Sequence, residues 1–160
     1  MHWKIETRRR KDFGMDKQLV VFKLGNEFYG VNIEAVESII KMQSITIIPQ
    51  APEFVEGVTN LRGTILPVID LRKRFGLEHS PVSKDSRIIV VTANHTKVGM
   101  IVDAVSEVLE IAEDAIESPP MIATTLNSAF ITGIAKSGGT LVILLELGRV
   151  LQLNVEAVGA

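Results

Sequence analysis

Cysteine is absent from the 160-residue sequence, so neither a disulfide scaffold nor any thiolate chemistry is open to it. Aromatic residues are scarce, with one Trp, one Tyr and six Phe. That leaves little material for the base-stacking platform of a nucleic-acid-binding barrel. An excess of one charge is missing too: 17 basic and 19 acidic residues give a formal net charge of −2. A broad basic face for nucleic acid is therefore not expected. No apolar run approaches the roughly 20 residues of a membrane-spanning helix, and the start carries no secretory apolar core. The longest apolar stretches, such as 141–145, are the length of a strand. A cytoplasmic protein is expected, with no membrane insertion and no nucleic-acid partner.

What is plentiful is apolar material, 46% of the chain. A folded chain of this size hides roughly 70% of the surface its unfolded form exposes, enough for a core without disulfide or metal. Residues 1–16, with the run Arg8, Arg9, Arg10 and Lys11, read as a flexible basic tail. Residues 17–155 read as one domain, divisible into subdomains of about 17–82 and 83–153.

The punctuation from Lys17 onward is that of β-structure. Residues 19–24 and 28–31 flank the turn Gly25-Asn26 and predict a hairpin. Residues 33–40 carry Ile33, Val36, Ile39 and Ile40 at helical spacing, yet are β-branched, so a short helix and a bent strand both fit. Further strands are expected at 45–48, 64–71, 87–92, 98–102 and 140–147. Pro67 demands a sheet edge, a bulge or a strand end. A helical turn fits 112–116, and a terminal helix or strand fits 148–153. The class is mainly β, with short helices at the joints.

The sequence also resembles itself. Gly30, Ala35, Val36, Ile39 and Ile40 align with Gly99, Ala104, Val105, Val108 and Leu109. Gly57, Gly63-Thr64 and Asp70-Leu71 align, in the same order, with Gly133, Gly139-Thr140 and Glu146-Leu147. Two ordered blocks imply a duplication, with two similar units that cover each other's open faces. The copies differ at one loop, where Asn60-Leu61-Arg62 faces Lys136-Ser137-Gly138. The fold tolerates either triplet, so Arg62 is free to serve recognition; the alternative is a structural Arg paired with Glu56 or Asp70.

No catalytic constellation emerges. His2, His79 and His95 lack ligand spacing, no serine sits in a nucleophile elbow, and residues 136–140 lack the order of a phosphate loop. Neither cofactor nor metal is expected.

Residues Val58-Thr59-Asn60-Leu61-Arg62-Gly63 and Pro67-Val68-Ile69-Asp70-Leu71-Arg72 resemble the CheW family of bacterial chemotaxis. Phe22-x-Leu24-Gly25-x-Glu27-x-Tyr29-Gly30, Pro52-x-Phe54 and Val102-Asp103-x-Val105-Ser106-x-Val108 extend the likeness from about residue 19 to 151. The resemblance implies two SH3-like, five-stranded β-barrel subdomains around a shared hydrophobic core. It implies a non-enzymatic adaptor, recruited to membrane-associated arrays, that couples chemoreceptor cytoplasmic tips to the histidine kinase CheA. Carried over by residue, the receptor-binding set is Val36, Ser38, Ile39, Gly57, Arg62, Val105, Val108 and Gly133. Ser38 departs from the glutamate common at that place. The kinase-facing set is Met42, Ile45 and Thr46. The alternatives are a coupling protein of a CheA-like pathway driving pili or another output, and a ligand-binding β-barrel module.

Overall fold

The computed structural model describes residues 16–118 and 128–152. The basic tail of the sequence analysis, apart from Asp16, lies outside them, as do residues 153–155. The first half of the chain contributes β1 (Asp16–Leu24), β2 (Glu27–Asn32), a 3-10 turn (Ile33–Ala35), β3 (Val36–Lys41), β4 (Val55–Leu61), β5 (Thr64–Asp70) and the one-turn helix α1 (Leu71–Arg74). The second contributes β6 (Arg87–Ala93), β7 (Thr96–Val102), β8 (Ala104–Ala112), a 3-10 turn (Glu113–Ala115), β9 (Ile116–Glu117), a 3-10 turn (Ser128–Phe130), β10 (Ile131–Ser137), β11 (Thr140–Leu145) and α2 (Leu147–Val150).

Two sheets result, a six-stranded one ordered β8-β1-β2-β11-β10-β9 and a five-stranded one ordered β3-β6-β7-β5-β4. The sixth strand is β9, only two residues long. The repeat is legible in the ladders. The parallel pair β2–β11, with Gly30 opposite Leu144, has its counterpart in β7–β5, with Gly99 opposite Val68. Matching register shifts fall at Val55/Gly57 in β4 and Ile131/Gly133 in β10.

The sheets do not follow the linear halves. The hairpin β1–β2 joins strands of the second half, and β6–β7 joins strands of the first. The division near residue 82 marks the sequence repeat, whereas each sheet is built from both copies. A lone hairpin leaves unpaired edges on both sides, and here each copy's hairpin finds its partners in the other.

Local chemistry accounts for the remaining elements. Residues 33–40 form the 3-10 turn and then β3, the bent alternative. Pro67 stands one residue before the parallel ladder to β7 begins at Val68, so no bond of that ladder is missing. Residues 45–48 do not form the expected strand; Thr46 alone bridges to Val58, and Ile47 is 77% exposed. The segment meets the edge of β4 at that single rung, and Pro49 ends it. Residues 147–150 form α2, not a strand.

Each sheet has its own small core, around Leu19, Val21 and Val142 in one and Leu66, Ile88 and Val90 in the other. Between the sheets lies the main cluster, including Phe22, Tyr29, Ile69, Phe75, Met100 and Val150. Phe22, Tyr29, Phe75 and Phe130 run through it as a chain of rings with centroids 5.6–5.9 Å apart. Two arginines of α1 clasp the halves. Arg72 grips Asp103 with two hydrogen bonds, of 3.0 and 2.6 Å, and Asp103 also accepts from the Gly25 N–H at 2.7 Å. Arg74 donates to the Val150 carbonyl at 2.8 Å and lies over the rings of Phe54 and Phe130.

Candidate functional site

The β4–β5 hairpin turns through Arg62 and Gly63, with φ of 53° and 85°; its counterpart β10–β11 turns through Gly138 and Gly139, at 54° and 86°. The two turns are the same shape, built once with arginine and once with glycine at the first position. A left-handed conformation costs a non-glycine residue roughly 1–2 kcal/mol. Arg62 thus holds a place where glycine folds more easily. Asn60 steadies the turn, its Oδ1 accepting from the Gly63 N–H at 2.8 Å.

The local carboxylates that might have tied Arg62 down are engaged elsewhere. Glu56 pairs with Lys73 at 2.8 Å. Asp70 caps α1 by accepting from the Arg72 N–H at 3.0 Å, and burial raises its pKa above the ordinary carboxylate range. Arg62 is exposed and, among the described residues, has neither ion pair nor hydrogen bond. It lines a pocket of about 140 Å³ together with Glu37, Leu61, Thr64, Leu66 and Lys97. Glu37 and Lys97 pair across this pocket at 3.1 Å.

Glu37 reaches the pocket through a β-bulge. Val36 registers with Val91 and Ser38 with Val90, which leaves Glu37 as the extra residue of β3. Bulges re-aim a side chain in this way. The Ser38 hydroxyl beside it is buried without a hydrogen-bond partner.

The apolar members of the expected receptor set pack on one cluster from two different sheets. Val36 and Ile39 on β3, and Val105 and Val108 on β8, are all half-buried against the one inter-sheet cluster. Among the described residues, strands β3 and β8 are terminal strands of their sheets. Gly57 and Gly133 are buried and serve close backbone approach. A Cβ on Gly57 would stand 2.0 Å from the Thr46 carbonyl oxygen, and one on Gly133 would stand 2.7 Å from the Ile116 side chain.

The expected kinase-facing residues sit in the irregular segment that follows β3. Met42 packs against the Leu66 core, Ile45 lies over Gly57, and Thr46 is exposed while its backbone bridges Val58. Met42 and Ile45 line a separate cleft of about 160 Å³ that also includes Arg72 and Asp103. There the Arg72 hydrogen bonds hold the Asp103 carboxyl below its usual range and raise the Arg72 pKa in turn.

Sequence reasoning did not single out Glu37 or Lys97 as site residues. Sixty positions separate them, and only the β3–β6–β7 register brings them together. Among the described residues, no group of three or more His, Cys, Asp or Glu is placed to hold a metal. No helix there is long and apolar enough to cross a membrane.

A duplicated two-sheet β fold with an exposed arginine beside the terminal strand β3, and no metal-holding cluster among the described residues, fits the class of protein-binding scaffolds. The family is settled by comparison: the chain belongs to the CheW-like domain family, whose model matches residues 18–155. It is 36% identical over 136 residues to the chemotaxis protein CheW of Klebsiella aerogenes, spanning 85% of this chain and 82% of that one. With the chemotaxis protein CheW of Treponema pallidum it shares 34% over 136 residues, 82% of this chain and 80% of the other. The crystal structure of the scaffolding protein TtCheW from Thermoanaerobacter tengcongensis superposes with a TM-score of 0.82 at 50% identity, covering 88% of this chain and 95% of that chain. The family assignment and the mainly β, two-subdomain fold read from the motifs are thereby borne out. The family is one of chemotaxis scaffolds and not of enzymes.

Proposed function

We propose that this chain works in the cytoplasm, at membrane-associated receptor arrays, as the adaptor that couples chemoreceptor tips to the regulatory domain of CheA. One observation carries the receptor half of this reading. Arg62 keeps a strained turn position that the other copy fills with glycine, and among the described residues it has no hydrogen bond or ion pair. A residue held at a cost to folding, with its donors free, is best explained by a partner outside the chain.

The receptor tip, a helical hairpin, would lie along the joint between the sheets. Its apolar face would meet Val36, Ile39, Val105 and Val108, and Arg62 would bond a carboxylate or carbonyl at the margin. Gly57 and Gly133 would contribute shape by letting backbones approach, and Ser38, its hydroxyl buried, would act only by leaving room where the family's glutamate stands. The kinase domain would take the separate surface around Met42, Ile45 and Thr46, leaving the joint open. The test is calorimetric titration with a receptor-tip hairpin and, separately, with the CheA regulatory domain. Arg62→Gly should lose the receptor and keep the kinase; equal loss of both, or of neither, overturns the assignment.

A further inference from the structure

The pocket beside Arg62 holds two cations and one anion. Arg62 is free, and Lys97 is held 3.1 Å from Glu37. Its formal charge is therefore +1, set by a pair that lies outside the turn motif. The pair is solvent-accessible, with Lys97 and Glu37 side chains 40% and 42% exposed, so it can exchange partners. At about 140 Å³ the pocket suits one side chain. Its wall is part apolar, from Leu61 and Leu66, and part polar, from Thr64. A glutamate fits this lining, its methylenes against the leucines and its carboxylate toward the two cations.

We propose that the pocket accepts a single carboxylate side chain of the helical partner, and that the Glu37–Lys97 pair sets how strongly. Lys97 is the second cation for the incoming carboxylate, and Glu37 competes for it. This rests on the receptor reading above. It adds the chemistry of the contacted residue and two specificity-determining positions of opposite sign.

The opposite signs make the test. Glu37→Gln takes the pocket from +1 to +2 and should tighten binding of the receptor-tip hairpin about threefold at low salt. Lys97→Gln takes it to 0, leaving Glu37 to draw on Arg62, and should weaken binding about three- to tenfold. Both shifts should shrink in about 0.5 M salt, where exposed charges are screened. Repeating the titrations with hairpins in which each surface Glu is changed singly to Gln should find one variant that no longer responds to either pocket substitution. Urea midpoints of both variants should match the parent, and CheA-domain binding should be unchanged.

If both substitutions weaken binding alike, or neither changes it, or no hairpin carboxylate is coupled to them, the pair is merely structural and the proposal is overturned. A parent protein that fails to bind the hairpin at all is a different result. It removes the receptor reading itself, and this inference with it.

Discussion

Replacing Arg62 by glycine should make the protein slightly more stable and yet unable to hold its receptor partner. The left-handed φ of 53° is matched by Gly138, at 54°, in the equivalent turn. Relief of the left-handed strain is worth roughly 1–2 kcal/mol. Glycine also loosens the unfolded chain, which takes back roughly 0.4–1 kcal/mol. Among the described residues no hydrogen bond or ion pair of Arg62 is lost, and the Asn60–Gly63 bond that shapes the turn remains. The balance lies between no change and a gain of about 1.5 kcal/mol. Urea denaturation with an unchanged slope measures it directly. Receptor-hairpin affinity, in contrast, should fall about 30-fold or more, the scale of an interface hot spot of about 2 kcal/mol. The reciprocal change, Gly138→Arg, should destabilise by a similar amount and add no receptor binding. If Arg62→Gly proves clearly destabilising, the guanidinium is holding the fold together, and the reasoning from strain fails.

Two further predictions concern the framework. Asp103→Asn should cost about 1–2 kcal/mol, discounted because the carboxylate is a third exposed, since it weakens the grip of Arg72 and the bond from Gly25. Arg72 holds the folded Asp103 pKa below its unfolded value, so its contribution is complete above the ordinary Asp range and fades as pH falls through the folded pKa. The stability gap between parent and Asp103→Asn, followed by urea melts, should therefore begin to narrow below about pH 4 and close at still lower pH. Asp70, raised by burial, runs the opposite way in both proteins and cancels from that gap. Gly57→Ala should destabilise by about 3 kcal/mol or more, because its Cβ would meet the Thr46 carbonyl and φ is 147°. A thermal melt within a few degrees of the parent would show that the Thr46 segment yields freely and that Gly57 is not structural.

Much of the fold was legible because duplication writes each signal twice. Gly30 and Gly99 sit at equivalent rungs of the two parallel ladders, and Gly57 and Gly133 at matching bulges. The turns at Asn94-His95 and Gly138-Gly139 adopt the positive φ that their composition announces. Partnership between strands was not legible. Periodicity tells which side of a strand is buried, but not which distant strand lies beside it, so the exchange of hairpins between sheets went unseen. The segment 45–48 failed for a related reason. Its isoleucines satisfy strand propensity, yet along the edge of β4 only Thr46 finds a rung, opposite Val58, and propensity without a continued ladder does not make a strand. At the site, Arg62 emerged from the mismatch between copies. The Glu37–Lys97 pair left no such trace, because a bulge in one strand and the register of two others create it.

The claim that this chain couples receptor to kinase is tested most directly by co-sedimentation of CheA with vesicles carrying receptor tips, with and without the protein. The account predicts that CheA pellets when the parent protein is added, that little pellets without it, and that Arg62→Gly fails to carry it down. CheA that pellets equally well in its absence, or stays in solution in its presence, would contradict the coupling role.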